Sequence, residues 1–212
     1  MRRKTLSYLG VILMVVGLAL VVHYGYGVVY ARFHQDRLMR EAQASWENPV
    51  VSMEDRPITP PRPSVDEAEE PEEEEVLPAD DGPFIILIPK IEIEAVVLDG
   101  VDLDTLAQGP GFYPDNPRPG ADGNVAVAGH RTTYGAWFRN VDQLEEGDEI
   151  VFSSPVAEYR YLVEDVYPVA SNAWEVVDPT EEPKLTLTTC HPPGSASQRL
   201  VVRAGLDGVE RK

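Results

Sequence analysis

From Leu6 to Tyr30 the chain runs 25 residues without Asp, Glu, Lys or Arg, and Leu6 to Val22 is nearly all Val, Leu, Ile, Met and Gly. About 20 apolar residues in a helix cross the hydrocarbon of a bilayer. The apolar stretch of a cleaved secretion signal is shorter, about 7–15 residues. No small-x-small site closely follows the run; Ala42-Gln43-Ala44 fits one formally but stands well past it, behind Arg32, Arg37 and Arg40. The pattern therefore predicts an uncleaved anchor over residues 1–30, a short cytoplasmic stub followed by a transmembrane helix. A juxtamembrane helix is expected to continue over residues 31–48.

The pattern changes at Phe84. Short apolar or alternating runs follow: Phe84–Ile88, Ile91–Leu98, Asn124–Gly129, Glu149–Ser153, Tyr159–Val169, Lys184–Cys190 and Arg199–Ala204. Clusters of Pro, Gly, Asp and Asn separate them. Leu103–Gln108 reads as one or two helical turns capped by Asp102. About eight short strands with turn signals between them indicate an all-β sandwich or closed barrel. The folded domain is expected over residues 84–206, enough for one modest core, with residues 207–212 as a C-terminal tail.

Composition separates the two regions. Eight of the 19 prolines fall between Pro49 and Pro83, and residues 64–83 hold ten acidic side chains and no basic one. Proline interrupts regular structure and like charges extend the chain. Residues 31–83 are thus expected to be a juxtamembrane segment and a flexible, disordered linker. A lid over an active site is a second reading of the same stretch. The whole chain carries a formal net charge of −18, which gives no attraction to phosphate backbones and excludes nucleic acid as a partner. A single cysteine excludes an internal disulfide and a Cys-cluster metal site. The acidic turn Glu145-Glu146-Gly147-Asp148-Glu149 lacks the spacing of a calcium loop, so neither metal nor cofactor is expected. The basic flanks of the anchor, Arg2, Arg3 and Lys4 before it and Arg32, Arg37 and Arg40 after it, nearly balance under the positive-inside rule.

Candidate chemistry lies at three strand ends. Side chains alternate between faces along a strand. In Leu185-Thr186-Leu187-Thr188-Thr189-Cys190 the leucines must face the core, so Cys190 projects outward. His191 takes the opposite face and is poorly placed to serve Cys190 as a base. The same alternation puts His130 outward beyond Val125 and Val127, and Arg199 outward opposite Leu200 and Val202. Arg199 follows Cys190 across a Pro-Pro-Gly turn, so a hairpin would bring them together. A thiolate, an imidazole and a permanent cation are the parts of acyl transfer: nucleophile, proton carrier and oxyanion or substrate holder. His23 lies in the anchor and His34 beside it, away from these three.

Ile88-Pro89-Lys90-Ile91, Gly129-His130-Arg131-Thr132, Thr186-Leu187-Thr188-Thr189-Cys190 and Arg199-Leu200-Val201-Val202 resemble, in order, the landmarks of the sortase family. The resemblance covers about Phe84 to Leu206. It implies an eight-stranded sortase-type β-barrel with short helices. It implies a cysteine transpeptidase that cleaves a C-terminal sorting signal of LPxTG or LAxTG type between Thr and Gly. A thioester on the enzyme would then pass to an amine of the cell wall or of a pilin. By that resemblance Cys190 is the nucleophile, His130 the proton-transfer partner, Arg199 the oxyanion or substrate-positioning group and Thr189 a substrate contact. The partners implied are substrate proteins with a sorting signal, the acceptor amine and the membrane. The implied location is a single-pass cell-membrane protein with its catalytic domain outside. The stretches around His130 and Cys190 are most similar to class E sortases, with class D next. Pro193-Gly194 departs from the basic or aromatic residue that often follows Cys-His-Pro in class E. A dedicated pilin-anchoring or pilin-assembling sortase, and a non-catalytic surface β-domain, are the competing readings.

Overall fold

The computed structural model describes residues 2–47, 80 and 82–212. Helix α1 runs unbroken over Arg2–Glu47. The apolar run continues into a good helix-forming stretch with no proline to stop it, so no boundary appears at residue 30. Eight strands follow: β1 (Phe84–Ile88), β2 (Ile93–Asp99), β3 (Gly111–Phe112), β4 (Asn124–Ala128), β5 (Glu149–Ser153), β6 (Ala157–Ala170), β7 (Lys184–His191) and β8 (Gln198–Arg211). They close into a barrel in the order β1-β2-β3-β4-β7-β8-β6-β5. Helix α2 spans Leu103–Gln108, and the Asp102 carboxylate caps it by accepting from the Asp104 and Thr105 N–H groups.

The core obeys the alternation read from the sequence. Phe84, Ile86 and Ile88 of β1, Val125 and Val127 of β4, Leu185 and Leu187 of β7, and Leu200, Val202 and Ala204 of β8 all enter one apolar cluster. Phe112, Phe152 and Tyr161 stack edge or face within it, at centroid distances of 5.9 and 6.0 Å. Two elements differ from expectation. β3 is only two residues long, too short to leave a periodic trace, yet it links β2 to β4 and closes the barrel. β8 continues past Leu206 to Arg211, because those residues pair with the start of β6, Ala157 to Tyr161. The stretch read as a tail is therefore strand.

The second half of α1 lies on the barrel. Ala31, Gln35 and Ala42 are buried there, and Ala42 packs with Ile85 and Val96. The Gln35 side chain accepts from the Val96 N–H at 2.8 Å and donates to the Val96 carbonyl at 3.0 Å. It completes the edge of β2 where β3 does not reach. Of the linker expected over residues 49–83, with its lid reading, residues 49–79 and 81 lie outside the described residues. Asp80 accepts from the Tyr159 hydroxyl at 2.7 Å and fastens the approach to β1.

Candidate active site

β4 and β7 pair in parallel, with Ala128 opposite Thr188. Two residues further along each lie His130 and Cys190, on the same face by parity. The Gly129 N–H donates to the Thr188 carbonyl at 3.1 Å and carries the pairing to the edge of the site. On the other side of β7, Cys190 stands opposite Arg199 of β8. His130, Cys190 and Arg199 therefore come from three neighbouring strands, each about 4.8 Å from the next. All three line one cavity of about 270 Å³.

The outer face carrying these residues is not open to water along its length. The segment between β6 and β7, with a 3-10 turn at Trp174–Val177, folds back over β4 and β7. Asn124, wholly buried, donates to the Val176 and Asp178 carbonyls and accepts from the Thr186 hydroxyl at 2.6 Å. Arg203 donates to the Thr186 hydroxyl and to the Val176 carbonyl. The cavity lies between this segment and α2, with Trp174 and Val176 on one wall and Leu103 and Leu106 on the other. Its floor includes Ala128 and Thr188, whose hydroxyl pairs with that of Tyr113 at 3.0 Å.

Each expected site residue has a defined setting. Cys190 is a free thiol, half-buried. Burial lowers the pKa of His130 below its ordinary 6.5. Its Nε2 is buried, with no hydrogen-bond partner among the described residues. Its ring stacks on that of Tyr134, centroids 5.3 Å apart. The loop after His130 is drawn shut by a bond from the Phe138 N–H to the His130 carbonyl. Phe138 packs so closely on Gly129 that a Cβ there would lie 2.6 Å from its ring, so glycine is required before the histidine. Arg199 donates through Nη1 to the carbonyls of Ala196 and Gln198. Thr189 lines the cavity, but its hydroxyl is buried and donated to the Gly129 carbonyl at 2.7 Å. It ties the cysteine strand to the histidine strand instead of offering a free hydroxyl to a substrate.

Arg131 escaped the sequence reading as a functional group. Its guanidinium is almost fully buried and bridges to Asp142 at 2.9 Å. Its Nε donates to the Arg139 carbonyl. Its Nη1 lies 3.4 Å from Nδ1 of His191. It thus joins the residue after His130 to the residue after Cys190. An arginine next to a histidine in a polar loop reads as surface, so no local signal marks it.

A sortase-domain family model matches residues 86–207, more than half of the chain. The chain belongs to the sortase family. Sortase D of Bacillus subtilis is 32% identical over 122 residues, covering 56% of this chain and 60% of that protein. Sortase SrtE2 of Streptomyces coelicolor is 34% identical over 135 residues, covering 57% of this chain and 53% of that protein. The match thus spans little more than half the length of these curated relatives. Among solved structures, sortase E from Streptomyces avermitilis is 34% identical with a TM-score of 0.57, covering 61% of this chain and 90% of that one. A Clostridium perfringens sortase D5 is 32% identical with a TM-score of 0.56, covering 60% of this chain and 80% of that one. Sortases named as class D and class E are thus similar to this chain at about the same identity.

Proposed function

We propose that this sortase is a membrane-anchored cysteine transpeptidase whose reaction runs through Cys190, His130 and Arg199. The observation that carries the reading is their placement side by side across β4, β7 and β8 on the lining of one cavity. The Cys190 sulfur attacks the carbonyl carbon of a scissile peptide bond. His130, kept neutral at neutral pH by its burial, takes the thiol proton and returns it to the amine that leaves as the C–N bond breaks. The product is a thioester and a free amine. An incoming amine then attacks the thioester, the C–S bond breaks, and the thiol is regenerated. Arg199 supplies N–H groups to the oxyanion of each tetrahedral intermediate.

The substrate is a protein with a sorting signal of LPxTG or LAxTG type, cut between Thr and Gly, and the acceptor is an amine of the cell wall. A walled, largely apolar cavity of this size suits an extended peptide with small apolar side chains. A related structure, sortase E1 from Streptomyces coelicolor at 27% identity, was solved with a tripeptide in its active site. α1 is apolar and long enough to cross a bilayer, which supports a single-pass cell-membrane protein with its barrel outside. The stretches around His130 and Cys190 support a reading nearest class E, with class D next.

The test uses the full chain in detergent, an LPxTG or LAxTG peptide and a small amine, with ligated product read by mass spectrometry. Product is expected from the unaltered protein and none from Cys190→Ala. Ligation that survives Cys190→Ala overturns the nucleophile. Loss of turnover in His191→Ala but not in His130→Ala transfers the proton-carrying role to the neighbour.

A further inference from the structure

α1 changes character along its length. Met14, Leu18 and Val21 stand open at 75, 64 and 69% exposure, whereas from Gly25 onward one side of the helix is covered by the barrel. The contacts follow one another in order. The Tyr24 hydroxyl donates to the Thr132 carbonyl and accepts from Arg139, each at 3.3 Å. Gly27 lies against the ring of Tyr134, 3.5 Å from where its Cβ would be. Gln35 holds Val96. At the far end the Lys212 ammonium lies 4.3 Å from the centre of the Trp46 ring and reaches Ser153 and Ser154.

These contacts orient the barrel. β7 ends at the site, and β8 runs back from Arg199 to Arg211, so Cys190 and Lys212 mark opposite ends. α1 passes Tyr24 at the catalytic end and Trp46 at the other, a rise of about 33 Å over 22 residues. Its uncovered apolar half therefore projects beyond the catalytic end. Counted from Leu6, about 20 residues of span end at Gly25. Tyr24 and Tyr26 then fall at the headgroup level that tyrosines favour.

We propose that α1 is a rigid strut, docked on the barrel in the membrane-bound protein, that holds the catalytic end against the lipid headgroup surface. The site then serves chains that are themselves held at the bilayer, and the proline-rich segment between α1 and β1 does not set the distance between membrane and site. This rests on α1 spanning a membrane, as proposed above, but not on the chemistry of Cys190.

The test is a depth measurement. In a Cys190→Ala background a single reporter cysteine replaces Thr133, exposed in the loop after His130, or Val156, exposed at the opposite end. Each protein carries a fluorophore and sits in phosphatidylcholine–phosphatidylglycerol nanodiscs containing paramagnetic headgroups. Quenching several-fold stronger at position 133 than at 156 is the expected result. Inserting 20 Gly/Ser residues after Pro63 should leave that contrast unchanged, whereas Gln35→Leu with Ala42→Glu should erase it. Equal quenching at both positions, stronger quenching at 156, or a contrast that collapses on lengthening the linker overturns the strut. Ligation by the unaltered protein, measured separately, stands or falls independently of these outcomes.

Discussion

Arg131 and His130 are neighbours in sequence with opposite electrostatic problems. Arg131 buries a permanent cation, and each of its three nitrogens has a partner: Asp142, the Arg139 carbonyl and His191. A guanidinium can only donate, so in this contact Nδ1 of His191 is the acceptor. The same contact holds the His191 ring toward the arginine. Replacing Arg131 with Leu removes the donor shared by Asp142, the Arg139 carbonyl and His191 and should destabilise the barrel by about 1–3 kcal/mol, read by urea denaturation. Lysine should not restore it, since an ammonium cannot make the three-way fork. His130 is penalised for charging, so an NMR titration of its ring should give a midpoint below 6.5. Between that midpoint and about 6.5 the unfolded chain binds more protons than the folded one, so stability must fall as pH drops through this window. A midpoint at or above 6.5 would show that burial does not dominate its environment.

At the level of elements, the site is made by two pairings and one cover. The β7–β8 hairpin is local, and the Pro-Pro-Gly turn announces it. The parallel β4–β7 pairing joins segments about 60 residues apart and leaves no mark in either strand. The cover is the β6–β7 segment, latched by Asn124, Thr186 and Arg203. Thr186 and Thr188 share the outward face with Cys190 by alternation, yet both are buried: Thr186 bonds to Val176 of this segment and Thr188 to the Tyr113 hydroxyl. Asn124→Ala should release the wall that carries Trp174 and leave the Thr186 hydroxyl with only its longer donated bond, to the Val176 carbonyl at 3.3 Å. The expected stability loss is about 1–3 kcal/mol. In peptide ligation KM should rise more than kcat falls, because the wall shapes the cavity while the three proposed reacting groups stay on their strands. An unchanged KM would mean that the wall takes no part in binding.

At the scale of the molecule, the net charge of −18 divides between the proline-rich segment and an acidic barrel, while the start of the chain is slightly basic. None of that excess is needed by the proposed site, which relies on one imidazole, one thiol and one guanidinium. What joins the parts is α1, whose apolar half and docked half are one helix. The sequence by itself determined the length of the apolar run, the alternation that separates core from outer face, and hence which side of their strands His130, Cys190 and Arg199 occupy. These are properties of neighbouring residues, and local periodicity records them. Only the tertiary structure decided that β4 lies beside β7, that Arg131 spans the two loops, and that Gln35 turns inward to complete β2. A glutamine or an arginine between polar neighbours reads as solvent-facing, because its partners are distant backbone groups and side chains that barrel closure alone brings within reach. The direction in which the site faces followed from the same docking, since a span and a barrel read separately carry no angle between them.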